Sequence, residues 1–287
     1  MNTNEIITSI KVELNGLYSK SETEIIARQL VTKITGLSHT DMLMNKNIDF
    51  TDEKIKFLEN YIEKLKKLEP IQYVIGKTEF FGMKFFVNSD VLIPRPETEE
   101  LIEWILSYSD KSRNIRILDI GTGSGCIAVA LKKFLPNSQV TALDISEDAI
   151  KIAKDNAQQN EVEIEFLCKD ILSDFTEETQ WDIIVSNPPY IPENEKNNIN
   201  PNVLNYEPHT ALFTPENSPL IFYDKIIEFS KKHLSSFGDI YFETHYDKAR
   251  EVADLLLLNS FTNVEIRKDL SGKERMIKAR KNHFISS

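Results

Sequence analysis

The stretch Leu118-Asp119-Ile120-Gly121-Thr122-Gly123-Ser124-Gly125 decides the fold of this chain. Ile115 and Ile117 come before it, and an apolar segment from Cys126 to Leu131 follows it. This order predicts a strand, then a glycine-rich turn, then a helix. Glycines allow a backbone to turn sharply and to approach a ligand closely, so the stretch is typical of a nucleotide-type binding site.

The spacing of the glycines indicates the kind of ligand. A dinucleotide-binding turn has a third glycine after two intervening residues, and this chain has Cys126 at that position. The pattern Gly-x-Gly-x-Gly, with Asp119 just before it, fits the S-adenosylmethionine site of class I methyltransferases better. We therefore expect S-adenosyl-L-methionine as the cofactor, and we disfavour a nicotinamide oxidoreductase.

An acid about 20 residues after the turn supports this interpretation. Val140-Thr141-Ala142-Leu143-Asp144 is predicted to be a second strand that ends in a carboxylate. A carboxylate at that point can accept hydrogen bonds from both hydroxyls of a ribose. The alternative is that Asp144 caps a helix or lies on the surface.

A second motif, Asn187-Pro188-Pro189-Tyr190, follows the apolar run Ile183-Ile184-Val185. A strand ending there places a side-chain amide, two rigid prolines and an aromatic ring at the carboxyl edge of a sheet, where open α/β sheets bind ligands. The arrangement suits holding a flat, weakly nucleophilic NH2 group against an electrophile. The alternative is a loop in which prolines merely end a strand.

The alternation of apolar runs from residue 99 onward predicts the fold class. Seven strands are expected at Ile115–Asp119, Val140–Asp144, Ile164–Leu167, Ile183–Ser186, Ile240–Glu243, Val264–Lys268 and Arg275–Ala279. Helices are expected near Leu101–Ser107, Ile127–Phe134, Ala149–Gln158, Leu220–His233 and Lys248–Leu258. Such alternation predicts an α/β fold with a mainly parallel, doubly wound sheet. Seven strands match the class I methyltransferase core, in which the last strand inserts antiparallel.

Residues 1–75 lack strand signals and predict a small helical bundle. Ser21 and Glu24 fit a capping box, and Gly36 is a plausible end for the helix that follows. A second amphipathic helix begins near Thr51 and carries apolar residues at steps of three and four. The bundle either has only a packing role or binds a macromolecular substrate. We expect it to be a substrate-recognition domain.

Residues 76–98 predict a β-hairpin linker that turns at Gly82, followed by a catalytic domain over 99–287. Pro96 suits the first turn of a helix. Arg95, between two prolines, either lines the active site or forms an ion pair where the helix begins. The polar stretch from Ile191 to Pro219 is expected to be a lid or a substrate-binding segment, with disorder of its first half as the alternative.

Composition excludes several classes of protein. The chain has 287 residues and a net charge of −11, which argues against tight nonspecific binding to nucleic acid. Two cysteines and five scattered histidines predict neither a disulfide framework nor a metal site. Lys64, Lys66 and Lys67 indicate a solvated helix face. No stretch approaches the roughly 20 apolar residues of a membrane span, and the first residues do not resemble a signal peptide. We expect a cytoplasmic monomer that binds neither membranes nor, stably, nucleic acid.

Together these motifs resemble the HemK/PrmC family, the glutamine-N5 methyltransferases of peptide chain release factors. The matching segments, in the family's order, are Ile71-Gln72-Tyr73-Val74-Ile75-Gly76, Glu79-Phe80-Phe81-Gly82, Leu92-Ile93-Pro94-Arg95-Pro96-Glu97-Thr98-Glu99, Gly121 to Gly125, Asn187 to Ile191, Tyr206-Glu207-Pro208, Ala211-Leu212, Glu243, Asp269-Leu270-Ser271-Gly272 and Arg275. The resemblance covers most of the chain from about residue 70. One departure is that Thr244-His245-Tyr246 follow Glu243, where the family usually has a glycine.

The resemblance implies a role for each matching residue. The cofactor-binding residues are Asp119, Gly121, Thr122, Gly123, Ser124, Gly125, Asp144, Asp170, Ile171 and Asn187. Within that set the glycine-rich turn would wrap the methionine part, Asp144 would bind the ribose, and Asp170 with Ile171 would meet the adenine. The substrate-binding residues are Asn187, Pro188, Pro189, Tyr190 and Arg95.

The implied chemistry is methyl transfer to the glutamine of a Gly-Gly-Gln motif, with Asn187, Pro188 and Tyr190 as catalytic residues. The Asn187 side-chain oxygen and the Pro188 carbonyl would accept the two N–H bonds of the substrate amide. Two alternatives use the same motifs. One is an amino-methyltransferase of nucleic acids, which the acidic balance disfavours. The other is a noncatalytic cofactor-binding or ribosome-assembly protein, which the intact Asn-Pro-Pro-Tyr motif disfavours.

Overall fold

The computed structural model describes residues 2–44, 50–173 and 179–282. The chain divides into two compact units. The smaller unit is Met1–Gly76 together with Asn200–Tyr206, and the larger unit is Lys77–Ile199 together with Glu207–Ser287.

The smaller unit is helical. Its helices are α1 (Thr3–Glu13), α2 (Lys20–Thr35), α3 (His39–Leu43), α4 (Asp52–Lys66), α5 (Ile71–Ile75) and α9 (Pro201–Tyr206). Apolar side chains from α1, α2 and α4 form one buried cluster that includes Ile10, Leu30 and Leu65. Two tyrosines add hydrogen bonds at the end of α4, since Tyr18 Oη donates to the Leu65 carbonyl and Tyr206 Oη to the Lys67 carbonyl, both over 2.7 Å.

The capping box predicted at Ser21 was wrong by two residues. Helix α2 begins after Ser19, whose side chain accepts a hydrogen bond from the Glu22 backbone N–H over 3.2 Å. The sequence offers the same Ser-x-x-Glu spacing in both registers. The register observed leaves Glu24 free to pair with Lys11 and Arg28, each at 2.7 Å. The predicted end of the helix is confirmed, because Gly36 adopts a left-handed conformation with φ of 73°.

The larger unit is a seven-stranded sheet with helices, which confirms the predicted fold class. Its sheet strands are β3 (Arg116–Ile120), β4 (Gln139–Asp144), β5 (Glu165–Cys168), β6 (Trp181–Ser186), β9 (Leu234–Glu243), β10 (Phe261–Lys268) and β11 (Glu274–Lys281). Its main helices are α6 (Pro96–Tyr108), α7 (Cys126–Phe134), α8 (Glu147–Gln159), α11 (Ile221–His233) and α12 (Ala249–Leu258).

The order of the strands places the site. It is β10-β11-β9-β6-β3-β4-β5, with β11 antiparallel to both of its neighbours and β3, β4, β5, β6 and β9 parallel. The chain passes from β3 to β4 on one side and later returns to β6 on the other side. This reversal beside β3 is the topological switch point at which doubly wound sheets bind ligands.

Strand β9 is longer than predicted. The predicted strand began at Ile240, whereas the strand observed begins at Leu234. In the structure Leu234 pairs with Trp181 and Asp239 pairs with Ile183, so residues 235–238 form a bulge inside the strand. A Cβ at Gly238 would lie 2.8 Å from Leu234 Cγ, which explains why a glycine stands there. Pairing with β6 therefore extends the strand through this bulge.

Two buried clusters cover the faces of the sheet. One joins α6 and α7 to the sheet and includes Trp104, which packs edge-on against Tyr241. The other joins α11 and α12 to the opposite face and includes Trp181. Burial of both faces explains why the parallel strands are continuous apolar runs.

Residues 77–86 form a hairpin that belongs to the larger unit. Its strands are β1 (Lys77–Phe80) and β2 (Met83–Phe86), which pair antiparallel around a turn at Phe81 and Gly82. Phe80 and Phe85 are fully buried in the cluster that contains α6 and α7. The hairpin therefore contributes to the core of the larger unit.

The segment from Ile191 to Pro219 contains short ordered elements, including in its first half, for which disorder was the alternative. They are β7 (Ile191–Pro192), a 3-10 helix (Glu193–Asn198), α9, α10 (His209–Leu212) and β8 (Phe213–Thr214). Strands β7 and β8 pair in parallel. This pairing fixes the chain that leaves the Asn-Pro-Pro-Tyr motif.

Asn156 on α8 joins three parts of the larger unit. Its side chain is fully buried, accepts from the Phe86 N–H over 2.6 Å, and donates to the Phe86 and Ser124 carbonyls over 3.0 and 2.9 Å. We expect Asn156→Ala to lower the free energy of unfolding by about 2–4 kcal/mol, because it leaves three buried backbone groups without their hydrogen-bond partner.

Urea unfolding followed by tryptophan fluorescence measures this cost. The two tryptophans of the chain, Trp104 and Trp181, are both buried in the larger unit, so the signal reports on that unit. The exposed neighbour Asp155 provides the control variant Asp155→Ala. Equal stabilities of the two variants would contradict the role of Asn156.

Candidate active site

A cavity of about 340 Å³ lies at the carboxyl edge of the sheet. Residues at or just after the ends of β3, β4, β5 and β6 line it, together with residues that precede α6 and residues of α10 and α11. All of these belong to the larger unit. The cavity therefore occupies the switch point beside β3.

The glycine-rich turn forms one wall of the cavity. Gly121, Gly123 and Gly125 have φ values of 72°, 53° and 80°, a region that side chains with a Cβ rarely adopt. The backbone N–H groups of Gly121 and Thr122 donate to the Leu143 carbonyl, over 2.8 and 3.0 Å, which holds the turn against β4. A Cβ at Gly125 would lie 3.0 Å from Ala153 Cβ, so this glycine also permits close packing of α7 against α8.

The carboxylate of Asp144 faces the same turn. One oxygen accepts from the Gly123 N–H over 2.8 Å, and the other accepts from the Ser146 N–H over 3.0 Å. Burial raises the pKa of Asp144, against the hydrogen bonds that lower it. Each oxygen retains acceptor capacity, so the group can receive further O–H donors from a ligand in the cavity.

Asp119, within β3, is fully buried. Its Oδ2 accepts from the Thr122 hydroxyl over 2.6 Å, and its Oδ1 has no well-aligned hydrogen-bond partner among the described residues, although the Ala128 backbone N–H helps to lower the pKa of the carboxyl. Burial raises the pKa of Asp119 from 3.8 to about 7, although the hydrogen bond from Thr122 lowers it. Asp119 is not among the residues that line the cavity, so its carboxyl lies behind the glycine-rich turn and supports it through Thr122.

The Asn-Pro-Pro-Tyr motif leaves β6 at the edge of the cavity. The Ser186 hydroxyl donates to the Ile120 carbonyl over 2.7 Å and ties the end of β6 to β3. Asn187, Pro188 and Pro189 line the cavity. These residues therefore line the same cavity as the glycine-rich turn.

Tyr190 is not among the residues that line the cavity. Its ring packs on the apolar cluster that contains α11, and its centroid lies 5.9 Å from that of His245. Burial raises the pKa of Tyr190, so the phenol stays protonated, and burial lowers the pKa of His245. The residues Thr244-His245-Tyr246, which depart from the family pattern, thus supply a ring that packs against Tyr190.

Two residues that the sequence analysis gave no role complete the surroundings of Asn187. Asn187 Nδ2 lies 3.4 Å from Thr98 Oγ1, and the Thr98 hydroxyl donates to Glu243 Oε2 over 2.6 Å. Burial raises the pKa of Glu243 from 4.5 to about 7, although the Thr98 hydrogen bond and the Arg275 charge lower it. The only sequence signal for either residue was that both belong to segments matching the family.

Arg95 combines a place on the cavity wall with an ion pair. Its side chain lines the cavity, and its guanidinium also lies 2.6 Å from Glu207, a fully buried carboxylate on the segment after α9. Glu207 also accepts from the Ile93 N–H over 3.4 Å. The ion pair thus holds the Pro-Arg-Pro segment in place.

The residues present fit S-adenosylmethionine. Above Gly121 and Gly123 a Cβ would meet nothing within 4 Å, so the turn leaves room for a ligand against its backbone. Asp144 and Asp170 both line the cavity, and the apolar side chains Ile145 and Ile171 stand beside them. This combination of carboxylates with apolar flanks suits a ribose and a flat heteroaromatic ring.

The sheet order, the glycine-rich turn after β3 and the acid at the end of β4 define a class I S-adenosylmethionine-dependent methyltransferase. The family model of the Methyltransferase small domain matches residues 100–206, and the family model of the PrmC N-terminal domain matches residues 5–76. A methyltransferase from Pyrococcus furiosus has the same fold, with a TM-score of 0.52 and 18% identity over 78% of this chain and 98% of that one.

Two relatives are similar over nearly their whole lengths. A release factor glutamine methyltransferase of Flavobacterium psychrophilum is 43% identical over 92% of this chain and 94% of its own. One of Bacteroides thetaiotaomicron is 40% identical over 96% and 99%. The chain belongs to the family of release factor glutamine methyltransferases.

Two absences hold for residues 2–44, 50–173 and 179–282. Within these ranges no group of three or more His, Cys, Asp or Glu residues is arranged to hold a metal ion. Nor does any helix there have both the length and the apolar character required to cross a membrane.

The buried carboxyl of Asp119 makes stability depend on pH. Its folded-state pKa of about 7 lies above its ordinary value of 3.8, so between these pH values the folded state binds more protons than the unfolded state. Its contribution to stability is therefore largest below about pH 4 and is lost as pH rises through about 7. Asp119→Asn cannot ionise at this position. We therefore expect its free energy of unfolding, relative to that of the parent, to be at least about 1 kcal/mol higher at pH 8 than at pH 5.

Urea unfolding at the two pH values, followed by tryptophan fluorescence, measures this gain. Asp155→Asn, at an exposed position, serves as the control and should show no such change. A difference between Asp119→Asn and the parent that does not vary with pH would contradict this account of Asp119.

Proposed function

We propose that the protein transfers a methyl group from S-adenosylmethionine to the side-chain amide nitrogen, N5, of the glutamine in the Gly-Gly-Gln motif of peptide chain release factors. The observation that carries the proposal is the position of Asn187 and Pro188 on the wall of the cavity, beside the glycine-rich turn. The names of the two relatives support the choice of a release factor as substrate. On this proposal the protein acts in the cytoplasm and supports translation termination.

We assign cofactor binding to the wall of the cavity around the glycine-rich turn. Gly121 to Gly125 hold the methionine part, and Asp119 supports their turn from behind by accepting from the Thr122 hydroxyl. Asp144 accepts from the ribose, and Asp170 with Ile171 contacts the adenine. When bound, the cofactor supplies an activated methyl group on a sulfonium. The protein therefore has to bind and orient the acceptor, and need not activate the methyl donor.

Orientation of the acceptor is the task of Asn187 and Pro188. An amide nitrogen is a poor nucleophile, because its lone pair is delocalised into the carbonyl. The Asn187 side-chain oxygen and the Pro188 carbonyl accept its two N–H bonds, orient the nitrogen and stabilise the positive charge that develops on it. Positioning can supply up to roughly 7–11 kcal/mol in ideal cases. Preorganised polar groups add roughly 3 kcal/mol, by comparison with oxyanion holes.

The remaining motif residues shape the acceptor site. Pro188 has a fixed φ and no N–H, so it presents only a carbonyl. Pro189 gives a rigid wall, and Tyr190 backs the motif through its contact with His245. Arg95, fixed by Glu207, borders the cavity where the substrate backbone enters. No strong base is required, because the methylated cationic amide loses its proton readily to water.

The helical unit is proposed to recognise the body of the release factor. A single glutamine in a loop offers little area for specificity, whereas stable protein complexes bury about 800 Å² per partner. The match of residues 5–76 to the PrmC N-terminal domain supports an accessory unit that accompanies this catalytic domain.

Mass spectrometry of a purified release factor, incubated with the protein and S-adenosylmethionine, tests the proposed function. We expect one added methyl, located on the glutamine of the Gly-Gly-Gln loop. A release factor with that glutamine replaced by glutamate serves as the control and should remain unmodified. Methylation elsewhere, or of added nucleic acid in place of the protein, would overturn the proposal.

Asn187→Ala tests the catalytic role of the amide. We expect turnover to fall by more than about tenfold, because the acceptor for the substrate amide is lost. The cofactor dissociation constant should stay within a factor of about two, because the glycine-rich turn and Asp144 remain. Initial methylation rates and titration calorimetry measure the two quantities. Asn137→Ala, at an exposed position between α7 and β4, is the matched control. Retention of more than about a tenth of the rate would contradict this role.

Asp144→Ala tests the ribose site. We expect the cofactor to bind at least about tenfold more weakly, since two hydrogen bonds to a charged group are lost. Asp148→Ala removes an exposed acid nearby and controls for net charge. Titration calorimetry that gives both variants the affinity of the parent would remove Asp144 from the cofactor site.

A further inference from the structure

Thr98 lies where the first turn of α6 faces the core. The helix begins at Pro96, and the Thr98 N–H donates to the Arg95 carbonyl over 3.0 Å. Its side chain is directed inward and is 2% exposed. Glu243, the last residue of β9, is 1% exposed and accepts the Thr98 hydroxyl proton over 2.6 Å.

The hydrogen-bond chemistry of this pair has one consequence for Asn187. A hydroxyl has a single proton, and the ionised form of Glu243, which the Arg275 charge favours, can only accept. Because the Thr98 hydroxyl already donates its hydrogen bond to Glu243, Thr98 Oγ1 can only accept a hydrogen bond from Asn187. The group turned towards it must therefore be the NH2 of the amide, and Nδ2 indeed lies 3.4 Å from Thr98 Oγ1. The side-chain oxygen of Asn187 therefore faces away from Thr98.

We propose that Thr98 and Glu243 are positioning residues that set the orientation of the Asn187 amide, so that its oxygen and not its NH2 meets the substrate amide. This inference rests on the proposed function, in which the methyl acceptor is itself an NH2 group. With the Asn187 amide turned over, two NH2 groups would face each other without an acceptor between them. The wrong orientation would therefore cost both binding and alignment of the substrate nitrogen.

The burial of Glu243 supports a role beyond packing. A buried carboxyl is costly unless it is hydrogen-bonded, and an apolar side chain would fill the end of β9 at less cost. The Arg275 guanidinium favours its charged form, while burial and Glu97 oppose it. Arg275 is itself anchored by Asp269 over 3.1 Å. A buried acid, costly to stability, thus stands where it accepts the hydrogen bond of the Thr98 hydroxyl.

Substitution of Thr98 separates the hydroxyl from the volume it fills. Thr98→Val keeps the shape and removes the hydroxyl, whereas Thr98→Ser keeps the hydroxyl. We expect Thr98→Val to lower kcat on the release factor by roughly 10- to 100-fold, as expected for loss of alignment. Thr98→Ser should stay within about threefold of the parent. The cofactor dissociation constant and the thermal unfolding midpoint of both variants, measured on the same preparations, show that each is folded and loaded.

A double substitution adds a test that a packing role would not pass. In the Asn187→Ala background, Thr98→Val should lower the residual single-turnover rate by less than about twofold, because the group it orients is gone. A full additional loss would overturn the inference, and so would equal losses in Thr98→Val and Thr98→Ser or parental rates in both. If the parent protein methylates the release factor but the variants give one of these contradicting results, only the inference about Thr98 and Glu243 fails. If the parent does not methylate it, the proposed function fails as well.

Discussion

The reversal of strand order beside β3 is the constraint on which the rest of the structure depends. Connections from β3 leave towards β4 on one side, and the chain returns to β6 on the other, so no connection covers the carboxyl end of β3. Parallel register brings the ends of three strands to one level, which places the glycine-rich turn, Asp144 and Asn187 around one cavity. The site is thus a consequence of topology, and the side chains only determine its chemistry.

The site is maintained at a cost in stability. Asp119 and Glu243 are buried acids whose pKa values burial raises to about 7, so both oppose folding when ionised. Buried acids of this kind concentrate at functional sites, because a ligand or a positioned partner needs their charge. The pair differ in their surroundings: Asp119 has an oxygen without a well-aligned hydrogen-bond partner among the described residues, whereas Glu243 is bonded through Thr98 to the motif. Asp119 therefore supports the glycine-rich turn through Thr122, and Glu243 fixes the Asn-Pro-Pro-Tyr motif through Thr98.

Local signals predicted much of the fold and of the candidate site. The glycine-rich turn, the acid after β4 and the Asn-Pro-Pro-Tyr motif each follow an apolar strand directly, so their place at the sheet edge could be inferred from the sequence. What was missed depends on contacts distant in sequence. The bulge at 235–238 exists because β9 pairs with β6, and Thr98 meets Glu243 across 145 positions. The ion pair of Arg95 with Glu207 spans 112 positions in the same way. The capping box failed for a different reason, since two registers were equally good locally and ion pairs of Glu24 selected one.

The central claim is that the amide of Asn187 presents its oxygen to a substrate amide. A crystal structure of the protein with S-adenosylhomocysteine and a release factor would test it most directly. The account predicts the nitrogen of the loop glutamine within about 3 Å of both the Asn187 side-chain oxygen and the Pro188 carbonyl, which is ordinary hydrogen-bond distance. A glutamine nitrogen held by other groups, or an Asn187 amide that directs its NH2 at the substrate, would contradict the account.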